Sequence, residues 1–506
     1  MNTFISLAIC ALCASLVVRA AIPTPDNDPF YHPPDAWQEK QPGEILRSRA
    51  VDVAWLGIDP LDLDAYQLLY RTSDSSSKKK MTSVTTVLVP PHAKKDQLVS
   101  YQTYIDAAGV QCAPSYNLRL GSELGTDLAF QYQSLLMQTL LQRGHIVTVP
   151  DYQGLNEAFG AGRREGHMTI DAIRATLAFP KIPLSKTSKV VGYGYSGGGI
   201  ATGWAASLQP KYAPELKKNV VGWSSGGTPS NVTSTMLQLN GTFLSGFAIA
   251  GFAGVLNAYP EISEWAQPRL TDAGRSAIQF GDKHCVVDML LNFAFAPALS
   301  DVYMHGGEHM LSSGPVKPVL ETLVMGVHRN ETPTAPYYMF HGSHDEAIPY
   351  GSARKTARSW TNFGADVSFL TTTDVYEEHL ITELTNVPNV VLFVEDRFGG
   401  KPFPKGLHLE STSNPLSDPR IAAAGLEDLV GVIRGLIAKD VGHKDAVVKH
   451  KIATGHAQRT REGKIASPES SRGHTLHRGA SSSHRSAHGS HTAHSSAPSA
   501  RSAAHT

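Results

Sequence analysis

The chain lacks a charge of either sign in excess, since Lys plus Arg and Asp plus Glu are both 45. No global field therefore draws it to nucleic acid or to an anionic membrane. It also lacks an apolar run long enough to span a bilayer comfortably. Phe4 to Val18 falls short of about 20 residues, as does Phe243 to Tyr259, which is broken by Ser245, Asn257 and three glycines. The first is read as the core of an export signal ending at Val18-Arg19-Ala20, so residues 1–20 are expected to be a leader; the alternative is an uncleaved anchor. Cysteine is scarce as well. Of four cysteines, Cys10 and Cys13 lie in that leader, leaving Cys112 and Cys285. In an oxidising compartment an even pair is expected to be a disulfide, the alternative being two buried thiols.

What remains is the composition of an ordinary globular protein, 41% hydrophobic and 18% charged over 506 residues. Residues 22 to 42, rich in Pro, Asp and aromatics, read as an extended lead-in strap. Short apolar runs then alternate with helical spacing, the habit of a mainly parallel sheet wrapped by helices. Strands are expected at Ser83 to Val89, Val99 to Ile105, Ile146 to Val149, Lys189 to Gly192, Val220 to Trp223, Tyr337 to Phe340 and Val367 to Thr371. The first two suit antiparallel strands leading into the sheet and the later ones buried parallel strands. Helices are expected at Asp127 to Gln142, Met168 to Phe179 and Leu380 to Phe398. Residues 228–327 interrupt the alternation and read as a mostly helical cap over the sheet's active edge. The α/β body is thus bounded at 21–442. Residues 443–506, built from Ser, His, Ala, Arg and Lys, cannot bury enough surface to order. That histidine-rich tail could bind metal or become cationic below about pH 6.5. Its plainer reading is a solvated tail. Asn231, Asn240 and Asn330 each open an N-glycosylation tripeptide.

The chemistry concentrates in Val190-Val191-Gly192-Tyr193-Gly194-Tyr195-Ser196-Gly197-Gly198-Gly199. A β-branched run meets G-x-S-x-G and then a small-residue helix. A turn that sharp needs glycine at Gly194 and Gly198 and presents the Ser196 hydroxyl at its apex, with helix amides to receive an oxyanion. A serine hydroxyl needs a base steadied by a carboxylate, in the chain order Ser, acid, His. Asp345 ends an apolar strand in a polar loop. Glu346 is the alternative acid, and Asp366 is weaker because it precedes the next strand. His379 opens the helix after that strand and is the expected base, whereas His341 and His344 sit too near Asp345 and are expected to shape its turn. His305-Gly306-Gly307 looks like a lipase oxyanion motif but follows the nucleophile, where that motif normally precedes it, and is read as a decoy.

Asp151-Tyr152-x-Gly154, Ala161-Gly162-Arg163, Gly166-His167, Gly192-Tyr193-Gly194-Tyr195-Ser196-Gly197-Gly198, His341-Gly342-x-x-Asp345-Glu346-x-x-Pro349, Glu378-His379 and Asp396-Arg397-Phe398-x-Gly400-Lys401-Pro402 occur in this order. Together they resemble the fungal secretory lipases of the Candida lipase A type, over roughly Pro29 to Ile437. The resemblance implies an α/β-hydrolase fold with a helical cap and lid and the triad Ser196, Asp345 and His379. It also implies an oxyanion hole from the backbone amides of Asp106 and Gly197. Cys112 with Cys285 matches one family disulfide, and a second bridge of some relatives has no cysteines here. The expectation is a secreted, monomeric carboxylic-ester hydrolase acting on triacylglycerol at a lipid–water interface, needing no cofactor or metal. A short-chain or secondary-metabolite esterase is the alternative, and a catalytically dead wall-binding or adhesion protein stands further off.

Overall fold

The computed structural model describes residues 21–123, 128–374 and 378–436. All belong to the first of two compact units, Met1–Lys439 and Asp440–Thr506. The expected leader, residues 1–20, and the expected tail, residues 443–506, lie outside the described residues.

Ten strands form one sheet: β1 (Ile45–Ala50), β2 (Asp64–Ser73), β3 (Lys80–Val89), β4 (Gln97–Gln102), β5 (Ile146–Pro150), β6 (Lys189–Tyr195), β7 (Val220–Gly226), β8 (Tyr337–Gly342), β9 (Val367–Thr372) and β10 (Leu407–Thr412). Their order is β1-β2-β3-β5-β4-β6-β7-β8-β9-β10. The first three are antiparallel, and the seven from β5 to β10 run parallel. β4 corrects the expectation for Val99 to Ile105, because it pairs in parallel with both β5 and β6 in the middle of the sheet. Its polar residues resemble a solvated face yet are buried and bonded. Gln102 donates to Ser100 Oγ at 2.6 Å and accepts from Thr202 Oγ1 at 2.8 Å.

The principal helices are α1 (Leu128–Gln142), α2 (Gly162–Ala178), α3 (Gly197–Tyr212), α4 (Val232–Leu239), α5 (Ser245–Ala258), α6 (Pro260–Ala266), α7 (Asp272–Gly281), α8 (Val286–Phe293), α9 (Val316–Thr322), α10 (Tyr350–Asn362) and α11 (His379–Phe398). One sheet face is covered by α2, α3 and α10 through Ile170, Ile173, Trp204 and Trp360. α1 and α11 cover the other through Met137, Leu140, Val387 and Val391. α2 begins six residues before the expected Met168. Its first turns carry Gly162 and Gly166 instead of apolar spacing, because α3 packs directly on them: a Cβ there would fall 2.2 and 2.7 Å from Trp204 atoms.

Helices α4 to α9 all fall between β7 and β8, within the segment expected to be a cap. Phe243 to Tyr259 becomes the 14-residue helix α5, and no described helix is long and apolar enough to cross a membrane. Cys112 and Cys285 are joined in a disulfide across 173 residues of sequence. It ties the turn after β4 to the N-cap of α8.

Candidate active site

Three loops at the C-terminal ends of parallel strands converge, the edge where α/β sheets gather their ligand sites. Ser196 follows β6 with φ +52° and ψ −123°, outside the regions L-residues ordinarily occupy. Two glycines permit this turn. A Cβ on Gly194 would lie 2.3 Å from Gly198 O, and one on Gly198 would lie 1.9 Å from Gln102 O. The strand register, the Ser196 N–H bonded to Gly226 O at 3.0 Å and the start of α3 then hold the hydroxyl outward.

His379 comes from the first residue of α11, after β9. Its Nε2 is 2.8 Å from Ser196 Oγ and its Nδ1 is 2.8 Å from Asp345 Oδ2. A carboxylate can only accept, so Nδ1 carries the proton and Nε2 is left to accept from the serine hydroxyl. Asp345, after β8, is held at every lone-pair direction. Oδ1 accepts the N–H groups of Ala347 and Ile348 at 3.0 and 2.7 Å, and Oδ2 also lies 3.1 Å from His341 Nε2. Burial alone would raise its pKa, but His379 and His341 hold it well below the usual carboxylate range. Burial would likewise lower His379, yet the Asp345 charge and hydrogen bond, with Glu346 and Glu383, raise it above the ordinary imidazole value.

The other candidates sort cleanly. His341 is buried against the acid as its turn requires, and His344 is exposed, with Ser343 Oγ at 3.1 Å as its one hydrogen-bond partner among the described residues. Glu346 does not replace Asp345; its Oε2 accepts the His379 backbone N–H at 2.8 Å and so caps α11 from another loop. Asp366 is taken by Lys405 and the Gly406 N–H at the opposite edge. His305-Gly306-Gly307 forms a turn within the helical segment that contributes nothing to the cavity over Ser196. Tyr195 was missed: its hydroxyl donates to His379 O at 2.6 Å and its ring packs on the imidazole, centroids 4.9 Å apart. No sequence pattern marks that role, since Tyr195 reads as a strand residue.

Asp106 and Gly197 are brought together. A Cβ on Gly197 would lie 1.7 Å from Asp106 Oδ1, and Asp106 itself has φ +47°. Both line the cavity over Ser196, and neither backbone amide has a protein acceptor among the described residues. The cavity holds about 420 Å³ and runs between Phe159, Val232, Met236, Phe247, Val286 and Leu290. Two buried carboxyls face it. Burial pushes Asp106 up to about 7 and Glu383 to about 8, well above the usual carboxylate range. No group of three or more His, Cys, Asp or Glu side chains is arranged to hold a metal ion among the described residues.

A secretory lipase family profile matches residues 118–406, spanning β6, the elbow and all three converging residues. The chain belongs to the secretory lipase family. It is 50% identical over 448 residues to a secreted triacylglycerol lipase of Malassezia restricta, covering 88% of this chain and 95% of that one. It is 46% identical to one of Malassezia furfur, covering 73% and 96%. Among solved structures, Candida antarctica lipase A in its closed state superposes with a TM-score of 0.72 at 30% identity, covering 82% of this chain and 96% of that one. The protein is therefore a secreted lipase-type hydrolase of the α/β-hydrolase fold. The Cys112–Cys285 bridge of this lipase fixes α8, whose Val286 and Leu290 line the cavity.

Proposed function

We propose that this lipase hydrolyses triacylglycerol through an acyl-enzyme formed on Ser196. The observation that carries the reading is the unbroken relay from Ser196 Oγ through the His379 imidazole to Asp345 Oδ2, with both hydrogen bonds 2.8 Å long. Ser196 Oγ attacks the ester carbonyl as His379 Nε2 takes its proton. The same proton passes to the glycerol oxygen as the carbon–oxygen bond breaks. Water, activated by the freed imidazole, then releases the fatty acid. Asp345 keeps the imidazole in its Nδ1–H form and stabilises its charge without taking the proton. The amides of Asp106 and Gly197 receive the oxyanion, each such donor being worth about 3 to 4 kcal/mol.

A long acyl chain suits the apolar cavity, and a lipid surface suits its mouth. Val287 and Leu380 line the opening and are 37% and 50% exposed. In the helical segment between β7 and β8, Phe243, which precedes the cavity-lining Leu244, pairs edge to face with Phe295, centroids 6.0 Å apart, the two being 48% and 68% exposed. Exposed apolar side chains of this kind suit an interaction site, and a lipid droplet would cover them. Each chain carries a complete triad, so a monomer suffices. Initial rates on emulsified triolein and on soluble p-nitrophenyl acetate test the reading. Faster turnover of triolein, rising when substrate passes from monomer to emulsion, is expected. Activity confined to the soluble ester would replace it with a short-chain esterase.

A further inference from the structure

Of the three N-glycosylation tripeptides, two are accounted for by the fold. Asn231 is the N-cap of α4, its Oδ1 accepting the Ser234 N–H at 3.1 Å. Asn240 Oδ1 accepts the Leu299 N–H at 3.0 Å. Thr242, which completes that tripeptide, donates to Leu239 O at 2.8 Å and accepts from Leu244 N at 3.1 Å. Both asparagines are half-buried.

Asn330-Glu331-Thr332 differs on every count. Asn330 is exposed on a turn closed by Glu331 N to His328 O at 3.0 Å, and its carboxamide makes no hydrogen bond among the described residues. Thr332 is buried, and its Oγ1 has no hydrogen-bond partner among the described residues. A buried hydroxyl left unpaired costs about 1 to 3 kcal/mol, so the fold gives no reason for threonine over valine. The export machinery gives one, because it requires a hydroxyl residue two places after the asparagine. Beside Asn330 opens a cleft of about 700 Å³, remote from Ser196 in its lining and bounded by Ser76, Lys211, Tyr259, Thr322 and His328. That volume lies within the roughly 300 to 1,000 Å³ of small-molecule sites. Hydroxyls, an ammonium donor, an imidazole and an aromatic wall are what a sugar ring bonds and packs against.

We propose that Asn330 alone of the three carries an N-linked glycan and that its first sugars rest in this cleft. In the transfer, the anomeric carbon of a lipid-linked oligosaccharide diphosphate bonds to Asn330 Nδ2. The carbon–oxygen bond to the diphosphate breaks, and one Nδ2 proton leaves with it. The lipase purified after secretion from a fungal host tests this by enzymatic deglycosylation in heavy-oxygen water followed by peptide mapping. Heavy aspartate at position 330, and unchanged Asn231 and Asn240, is expected. Amine acetylation of Lys211 and carbethoxylation of His328 should be several-fold slower than in Asn330→Gln. Thr332→Val should lose the glycan yet keep full esterase activity, while Thr332→Ser keeps both. An unmodified Asn330, sugar on either other asparagine, or equal labelling of Lys211 and His328 with and without the glycan would overturn the proposal.

Discussion

Glu346 stands across the amino end of the helix that carries His379, accepting its backbone N–H at 2.8 Å. One carboxylate thereby orients the helix and adds negative charge beside the imidazole. A residue that reads as a spare catalytic acid thus serves the base.

Protonated His379 cannot accept the Ser196 proton, so activity on soluble ester should fall as pH drops through the imidazole pKa, which lies above its ordinary value. Glu346→Gln keeps an acceptor for the helix but removes the charge. An exposed carboxylate is worth about 0.2 to 1 kcal/mol to a neighbouring cation, or roughly 0.1 to 0.7 pH units. The acid limb of kcat/KM should therefore move down by a few tenths of a pH unit, with kcat at the plateau little changed. A limb that stays in place would mean that the Glu346 charge does not reach the imidazole.

Gly251 of α5 lines the acyl cavity, and a Cβ there would have Phe159, at 3.9 Å, as its nearest neighbour. Gly251→Leu should fold, since leucine favours helix by up to about 1 kcal/mol over glycine. Its side chain would fill the cavity. Hydrolysis of long-chain esters should drop about ten-fold or more while that of acetyl esters is kept. Equal losses on both would place the acyl chain elsewhere.

The Cys112–Cys285 bridge closes 173 residues and anchors the pocket-lining helix α8. Replacing both cysteines with serine should cost about 2 to 5 kcal/mol. Urea midpoints with and without reductant would read the loss, and an unchanged midpoint would show the bridge to be dispensable.

Three acids, Asp106, Asp151 and Glu383, are pushed up to about 7, 7 and 8 by burial. In the unfolded chain they ionise near 4. Their stabilising contribution is thus complete below about pH 4 and is lost as pH rises through 7 and 8. Melting temperature should fall between pH 5 and 9. Glu383→Gln, which can still accept from Gln133 at the 2.8 Å contact, should make that fall shallower. An unchanged slope would show that Glu383 is not the group being titrated.

Much of the site was legible because its chemistry leaves local marks. G-x-S-x-G after a β-branched strand locates the elbow, and chain order then selects Asp345 and His379. The fold class followed from alternation, but individual strands did so only where they were apolar. β4 misled in its direction because Ser100 and Gln102 bury their polarity on each other, and Gln102 on Thr202, a partner 100 residues away. β10 went unread because only its ends are half-buried. The start of α2 was hidden because Gly162 and Gly166 serve the close approach of Trp204, a contact that no periodicity encodes. The roles of Tyr195, Glu346 and His341 are tertiary in the same sense.

The most direct test of the central claim is covalent. The secreted lipase is treated with a fluorophosphonate and its modified peptide identified by mass spectrometry. One adduct per chain, on Ser196, is expected, absent from Ser196→Ala and formed at least a hundred-fold more slowly in His379→Ala. An adduct on another residue, or undiminished labelling without the imidazole, would contradict the mechanism.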